Sequence, residues 1–370
     1  DIERLVLAIS AETGVSIEAE NTLIIFDEIQ EVPKALTSLK YFHENAPQYA
    51  IVAAGSLLGV ALHQGTSFPV GKVDFLDLYP LNFREFLCAM GEKQFVSMLD
   101  SCDTQMVTVF KTKYIERLRE YYFVGGMPEV VKDFSEKKDY NRVRAIQKNL
   151  INYYQQDFSK HAEIKLVPRL NLVWNSIPMQ LAKENKKYIY GQVREGSRAK
   201  DFELAIQWLL DCGLIHKVQR IQKPDLPLKA YIDFDAFKLF LVDIGLLIAM
   251  TDLDAKVIIE GNKIFTEFNG SLTEQYILQQ LISDVGVIPY YYSTQNSKGE
   301  IDFLVQGKTS VIPIEVKAEE NLKAKSLKAF CEKYQPSYAV RTSMSDYREQ
   351  DWMTNIPLYA IKWIENYVNQ

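Results

Sequence analysis

The sequence Thr22-Leu23-Ile24-Ile25-Phe26-Asp27-Glu28 contains a short apolar run that ends in two adjacent carboxylates. The apolar run predicts a buried strand. A second run, Ala50 to Ala54, is followed by Gly55 and Ser56. Helical patterns alternate with these runs over residues 1 to about 90, as in a parallel α/β sheet. In such a sheet, both strand ends face one crevice.

This arrangement suits nucleotide hydrolysis. Asp27 would hold the water shell of a Mg²⁺ ion, and Glu28 would orient the water that attacks the γ-phosphate. Ser56, at the end of the neighbouring strand, would sense the γ-phosphate. The alternative is that Asp27 and Glu28 are two acids that stabilise a helix N-terminus.

Composition sets the broad class of the protein. The chain has 370 residues, of which 47% are hydrophobic and 24% charged, and this predicts a globular protein of two to three domains. The net charge of -6 argues against a protein that coats nucleic acid by bulk electrostatics. The four cysteines are far apart and the four histidines show no ligand spacing, which disfavours disulfides, a zinc site and a hydrolase triad.

The apolar stretches also bear on location. The longest, Leu239 to Met250, is interrupted by Asp243 and is shorter than the roughly 20 residues that a bilayer requires. We therefore expect no membrane partner, and the widely spaced cysteines favour the reducing cytoplasm. The chain opens at Asp1 within a helical pattern, and we expect that residues precede it.

Four regions follow one another along the chain. Residues 1–90 form the α/β core just described, and apolar positions at helical spacing predict a helical, lid-like region at 91–185. Over 186–252 the order helix, turn, strand, Pro-containing turn and short helix suits a winged-helix-like unit. Residues 253–370 have the order α-β-β-β-α-β of a separate α/β domain.

The last region carries a second group of charged residues. Glu274 lies on a predicted helix, Asp302 at the start of a strand, and Glu315 and Lys317 at the end of the next strand. The spacing of 13 residues from Asp302 to Glu315 allows one strand to turn back, which would set the two carboxylates side by side. Strand alternation places Glu315 and Lys317 on one face. Such a cluster can bind Mg²⁺ and activate water against a phosphodiester. Glu300 could replace one ligand, although a turn acid is the simpler interpretation.

Several motifs together resemble a family of bacterial and archaeal AAA-type ATPases of the AAA+ superfamily. These are Asp27 to Gln30, Ala54 to Ser56, Gly71 to Val73, Leu78 to Phe86 and Gly125 to Pro128. The resemblance covers nearly the whole chain. It implies a P-loop ATPase that uses ATP and Mg²⁺, with Leu23 to Glu28 as Walker B segment, Asp27 as metal ligand and Ser56 as sensor.

Two features depart from this family. Its phosphate loop, Gly-x-x-x-x-Gly-Lys-Ser/Thr, is absent from the 370 residues, and we expect it upstream of Asp1, so that these residues alone bind ATP poorly. Lys72 stands where relatives usually carry a finger arginine that contacts the nucleotide, and it loses the planar fork of that side chain. A solvated loop lysine is the alternative.

The cluster in the last region resembles the PD-(D/E)XK nuclease superfamily, whose fold is restriction-endonuclease-like. The resemblance implies that Asp302 and Glu315 are metal ligands, that Lys317 is the catalytic lysine and that Glu274 completes the site. The fold could equally persist as a binding or regulatory module without nuclease activity.

A nucleic-acid face is one more expectation. Between Ala182 and Lys229 there are ten Lys or Arg and six Asp or Glu, and Arg198 and Lys200 start a predicted helix. DNA or RNA could bind there, although a mixed-charge solvated surface explains the same residues. Because AAA+ fingers often act between copies, a homo-oligomer is plausible. We expect an ATPase coupled to a nuclease-like domain; the alternative is a non-enzymatic nucleic-acid-binding or regulatory protein with two degenerate sites.

Overall fold

The computed structural model describes residues 2–55, 71–183, 186–260, 266–294, 299–318 and 324–370. The chain divides into two units. The first consists of residues 1–78 with 207–214, and the second of residues 79–206 with 215–370. Ser56 lies outside the described residues.

The first unit contains the predicted strand, helix, strand sequence. Its elements are α1 (Ile2–Thr13), β1 (Leu23–Phe26), α2 (Pro33–Asn45) and β2 (Ala50–Ala53). The two strands are parallel, with Leu23 opposite Ala50 and Phe26 opposite Ala53. Ile24 packs with Val6 and Phe42 from the two helices. The other face of the pair exposes Ile25 and Val52, whereas complete parallel sheets are usually covered on both faces.

A helical region opens the second unit, as predicted. Its helices are α3 (Phe83–Ala89), α4 (Lys93–Asp100), α5 (Thr104–Val109), α6 (Lys111–Val124), α7 (Pro128–Lys137), α8 (Tyr140–His161), α9 (Val167–Leu181) and α10 (Tyr190–Val193). The first of them begins with a capping box. The Asn82 side chain accepts a hydrogen bond from the Glu85 N–H, and the Glu85 carboxylate accepts one from the Asn82 N–H, both at 2.9 Å.

In the described part of the chain, eight strands of the second unit form one mixed sheet in the order β4-β3-β5-β6-β7-β8-β10-β9. The strands are β3 (Ile215–Ile221), β4 (Ile232–Leu241), β5 (Tyr290–Ser293), β6 (Glu300–Gln306), β7 (Val311–Val316), β8 (Val340–Ser343), β9 (Arg348–Gln350) and β10 (Met353–Pro357). Helices α11 (Ala199–Asp211), α12 (Ile244–Met250), α13 (Ala255–Ile259), α14 (Thr266–Gln280), α15 (Lys325–Tyr334) and α16 (Glu365–Val368) complete the chain. Leu327 and Phe330 of α15 pack against Leu304 of β6 in one core cluster.

The hairpin of the predicted winged-helix unit belongs to this sheet. Strand β3 pairs with β5 in parallel, with Arg220 opposite Tyr291 and Ile221 opposite Tyr292. The sheet therefore continues across the predicted boundary at residue 252, because β3 supplies hydrogen bonds to a strand of the last region. Among the described residues, none of the helices has the length and apolar character needed to span a bilayer.

Candidate functional site

The ends of the two parallel strands in the first unit are tied together by backbone hydrogen bonds. The Ala54 N–H donates to the Phe26 carbonyl at 2.8 Å, and the Ile29 N–H donates to the Ala54 carbonyl at 3.0 Å. Ile29 is buried and anchors the turn that follows β1. The residues between these bonds, Asp27 and Glu28, are thereby held beside the end of β2.

Both carboxylates of this turn are exposed. Asp27 Oδ1 accepts a hydrogen bond from the Glu28 N–H at 3.1 Å, and Glu28 Oε2 accepts one from the Gln30 side chain. Glu28 adopts a left-handed backbone with φ of 48°, which is uncommon for a residue other than glycine and is often found at functional sites. Two hard oxygen donors at a strand end are suitable ligands for Mg²⁺ or its water shell.

Lys72 lies elsewhere in the first unit. Its ammonium is 3.6 Å from Glu44 Oε1, in the last turn of α2. Helix α2 starts at Pro33, shortly after Glu28, and its rise carries Glu44 roughly 17 Å along the axis from that start. Within one chain, Lys72 is thus paired at the far end of α2 from the strand-end carboxylates.

The second group of charged residues centres on Glu274 of α14. Lys186 forms an ion pair with Glu274 Oε1, and the ammonium of Lys238 lies 3.5 Å from Oε2. Lys238 is completely buried, pairs with Glu300 and lies 4.9 Å from the ring centroid of Tyr291. Burial alone would lower the pKa of Lys238, but the Glu274 and Glu300 carboxylates raise it above its usual range. Lys238 therefore keeps its positive charge despite its burial.

Asp302 contacts the same cluster through Glu274. Burial and the neighbouring charge of Glu274 raise the pKa of Asp302 to about 7, although Lys238 and Lys186 oppose this shift. Its Oδ2 accepts a hydrogen bond from the Val316 N–H at 2.7 Å. Conversely, burial would raise the pKa of Glu274, but Lys186 and Lys238 lower it overall. As the pH falls, Asp302 therefore gains a proton before Glu274 does.

Glu315 and Lys317 form a separate pair. Phe303 is opposite Ile314 at the last paired position of the β6–β7 register, and Asp302 and Glu315 are each one residue beyond it. The Lys317 ammonium is 2.6 Å from Glu315 Oε1, which fits the predicted shared face. However, Glu315 Oε2 accepts a hydrogen bond from the Leu327 N–H of α15 at 3.1 Å, whereas Asp302 contacts α14. The two carboxylates turn toward different helices.

The residues predicted to bind a metal in the last region do not fit a divalent cation. No group of three or more His, Cys, Asp or Glu in the described ranges could hold a metal ion. Glu274 already faces two ammonium groups, and both oxygens of Glu315 are engaged. The structure brings together Glu274 with Asp302 and Glu315 with Lys317, but not all four.

Two of the quoted motifs have a structural role in the second unit. The Leu81 N–H donates to the Gly126 carbonyl at 2.8 Å, and the Gly126 N–H donates to Asp243 Oδ2 at 2.6 Å. Tyr121 donates to the Leu81 carbonyl at 2.6 Å, and Gln279 of α14 donates to Tyr121 at 3.0 Å. These bonds join the segment before α3 and the glycine loop after α6 to a buried polar network.

The basic segment is partly neutralised by its own contacts. Of the ten cations between Ala182 and Lys229, Lys186 pairs with Glu274, Arg220 with Asp233 and Lys223 with Asp225. Arg194, Arg198 and Lys200 are exposed around the start of α11. Lys217, Lys223 and Lys229 are also exposed, so the exposed cations of this segment are not confined to this helix start.

Sequence reasoning did not single out Lys238 or Asp243 as site residues. Lys238 interrupts the apolar run from Ala236 to Val242, and both it and Asp243 are fully buried. Charged residues are almost never fully buried unless they are paired. A lysine within an apolar run was the available signal.

Three family models match parts of the chain. Residues 2–87 match an AAA domain, residues 115–257 match a domain of unknown function (DUF8612), and residues 269–361 match a domain of unknown function (DUF4143). No curated protein and no solved structure matches the chain. The matches at the two ends support an AAA-type ATPase.

Proposed function

We propose that this protein hydrolyses ATP at the carboxyl end of β1. The observation that carries the proposal is the turn after β1, where Asp27 and Glu28 are exposed and held by the bonds that link Phe26, Ala54 and Ile29. The turn lies within the residues that match an AAA domain. In nucleotide hydrolases, positioning and charge stabilisation provide most of the catalysis.

Each carboxylate has one role in this proposal. Asp27 holds the water shell of Mg²⁺, and Glu28 accepts a hydrogen bond from the attacking water and orients it. Mg²⁺, when bound with the nucleotide, neutralises charge on the phosphates. Ser56 is the proposed sensor of the γ-phosphate. A role for Lys72 as a finger requires a second copy of the chain, because Lys72 pairs with Glu44 at the far end of α2.

We propose further that the ATPase acts through a C-terminal domain with nuclease-like topology. Support comes from the order α14, β5, β6, β7, α15, β8, which matches the predicted α-β-β-β-α-β arrangement. The division into residues 1–90, 91–185, 186–252 and 253–370 stays a proposal, with one sheet shared by the last two parts. Nucleic acid stays the predicted partner, supported by the exposed cations Arg194, Arg198 and Lys200.

The magnesium dependence of ATP affinity tests the role of Asp27. In the full-length gene product, Asp27→Asn should weaken ATP binding in Mg²⁺ by roughly 10- to 100-fold, a loss typical of partners of metal ligands. ATP binding in excess chelator should stay unchanged, because Asp27 then has no cation to hold. Asp77→Asn, which removes an exposed carboxylate of the same unit, is the matched control. Equal magnesium dependence in both variants would contradict the role of Asp27.

A further inference from the structure

The charged cluster of the second unit contains its own cations. Two ammonium groups, those of Lys186 and Lys238, reach the two oxygens of Glu274 from different parts of the chain. Lys186 precedes α10, whereas Lys238 lies within β4. We propose that these ammonium groups occupy the place of a divalent metal, so that the cluster binds no divalent cation.

The occupancy of the carboxylate oxygens supports this proposal. Glu274 Oε1 pairs with Lys186, and Oε2 lies 3.5 Å from the Lys238 ammonium. Asp302 Oδ2 accepts the Val316 N–H at 2.7 Å. Glu315 uses both of its oxygens, one for Lys317 and one for the Leu327 N–H. A metal would have to displace these donors, and each displaced lysine would leave a buried charge without its partner.

Charge balance supports the same conclusion. Lys186 and Lys238 neutralise Glu274 and Glu300, and Asp302 is the remaining acid of the cluster. A divalent cation beside two buried ammonium groups would add two positive charges to a site that already has a matching cation for each of the two glutamates. Repulsion at these short distances is strong in a protein interior.

The C-terminal domain therefore keeps the order of elements of a nuclease-like fold without a metal-dependent hydrolytic centre. Its carboxylates and lysines connect α14 to β4, β6 and the segment before α10. This inference does not depend on the proposed ATPase activity, because the residues involved all belong to the second unit.

Mn²⁺ binding without nucleotide tests the inference directly. The experiment uses the full-length protein carrying Asp27→Asn, because this change removes the strand-end carboxylate of the first unit. Titration calorimetry and electron paramagnetic resonance count the Mn²⁺ ions that this protein binds. We expect no saturable site in the C-terminal cluster of this protein up to millimolar Mn²⁺. Adding Lys186→Ala, which removes the less buried of the two lysines, should increase Mn²⁺ affinity at least about tenfold.

One equivalent of Mn²⁺ bound while both lysines are present, and lost on Glu274→Gln, would overturn the proposal. Melting temperatures measured with and without Mn²⁺ provide a second readout that does not require the lysine variant to fold. An increase with Mn²⁺ that disappears in Glu274→Gln would likewise overturn it. If the melting temperature of the Asp27→Asn protein is the same with and without Mn²⁺, the proposal is supported.

Discussion

Replacing Gly126 with alanine should destabilise the second unit by about 3 kcal/mol or more, an effect in the upper range for single substitutions. A Cβ at this position would lie 2.1 Å from the Leu81 carbonyl oxygen and 2.8 Å from its nitrogen. Neither backbone atom can move away freely, because Leu81 bonds to Gly126 and to Tyr121. The loop would have to shift, and Gly126 would lose its bond to the buried Asp243.

Thermal unfolding measures this loss. Gly126→Ala should lower the melting temperature by roughly 5 °C or more. Gly191→Ala is the matched control, since a Cβ there meets no atom within 4 Å and the backbone is not left-handed. If both variants have the same melting temperature, Gly126 does not have the close contact that we describe.

Lys238→Ala should also destabilise the protein strongly, by about 3 to 5 kcal/mol, the usual cost of removing one partner from a buried ion pair. The Lys238 side chain is completely buried, and its removal takes away the ammonium partner of Glu300 and one of the two beside Glu274. Much of the cost comes from the carboxylates left without that partner.

Urea unfolding provides the comparison. Lys308→Ala, which removes an exposed lysine, should change the unfolding midpoint little and is the control for loss of a positive charge. Adding Glu300→Gln to Lys238→Ala should recover part of the lost stability, because Glu300 then no longer carries a charge without its ammonium partner. If Lys238→Ala is as stable as Lys308→Ala, the ion pairs of Lys238 are contradicted.

The predictable part of the fold was the part with clear apolar periodicity. The apolar runs Leu23 to Phe26 and Ala50 to Ala54 predict strands because they are short and bounded by polar residues, and the structure has strands at Leu23–Phe26 and Ala50–Ala53. Strand β10 was not predicted, because its Thr354 and Asn355 obscure the pattern of a buried strand. Asn355 is buried nonetheless, and its side chain accepts hydrogen bonds from Arg341 and Ser343.

The candidate sites were predictable only where the residues are close in sequence. Asp27 and Glu28 are adjacent, and Glu315 and Lys317 lie two residues apart on one strand, so local spacing was sufficient. Lys186 and Lys238 reach Glu274 through tertiary structure, from positions 88 and 36 residues away. The pairing of β3 with β5 is equally long-range, and it makes the strand predicted for the winged-helix-like unit part of the larger sheet.

The most direct measurement of the central claim is steady-state ATP hydrolysis by the full-length gene product and its Glu28→Gln variant. If Glu28 orients the attacking water, this change should reduce kcat by about 100-fold or more while ATP binding is retained. Glu12→Gln, an exposed glutamate of α1 that loses the same charge, should leave turnover unchanged. Turnover equal in all three proteins, or no ATP binding by any of them, would contradict an ATPase site at the end of β1.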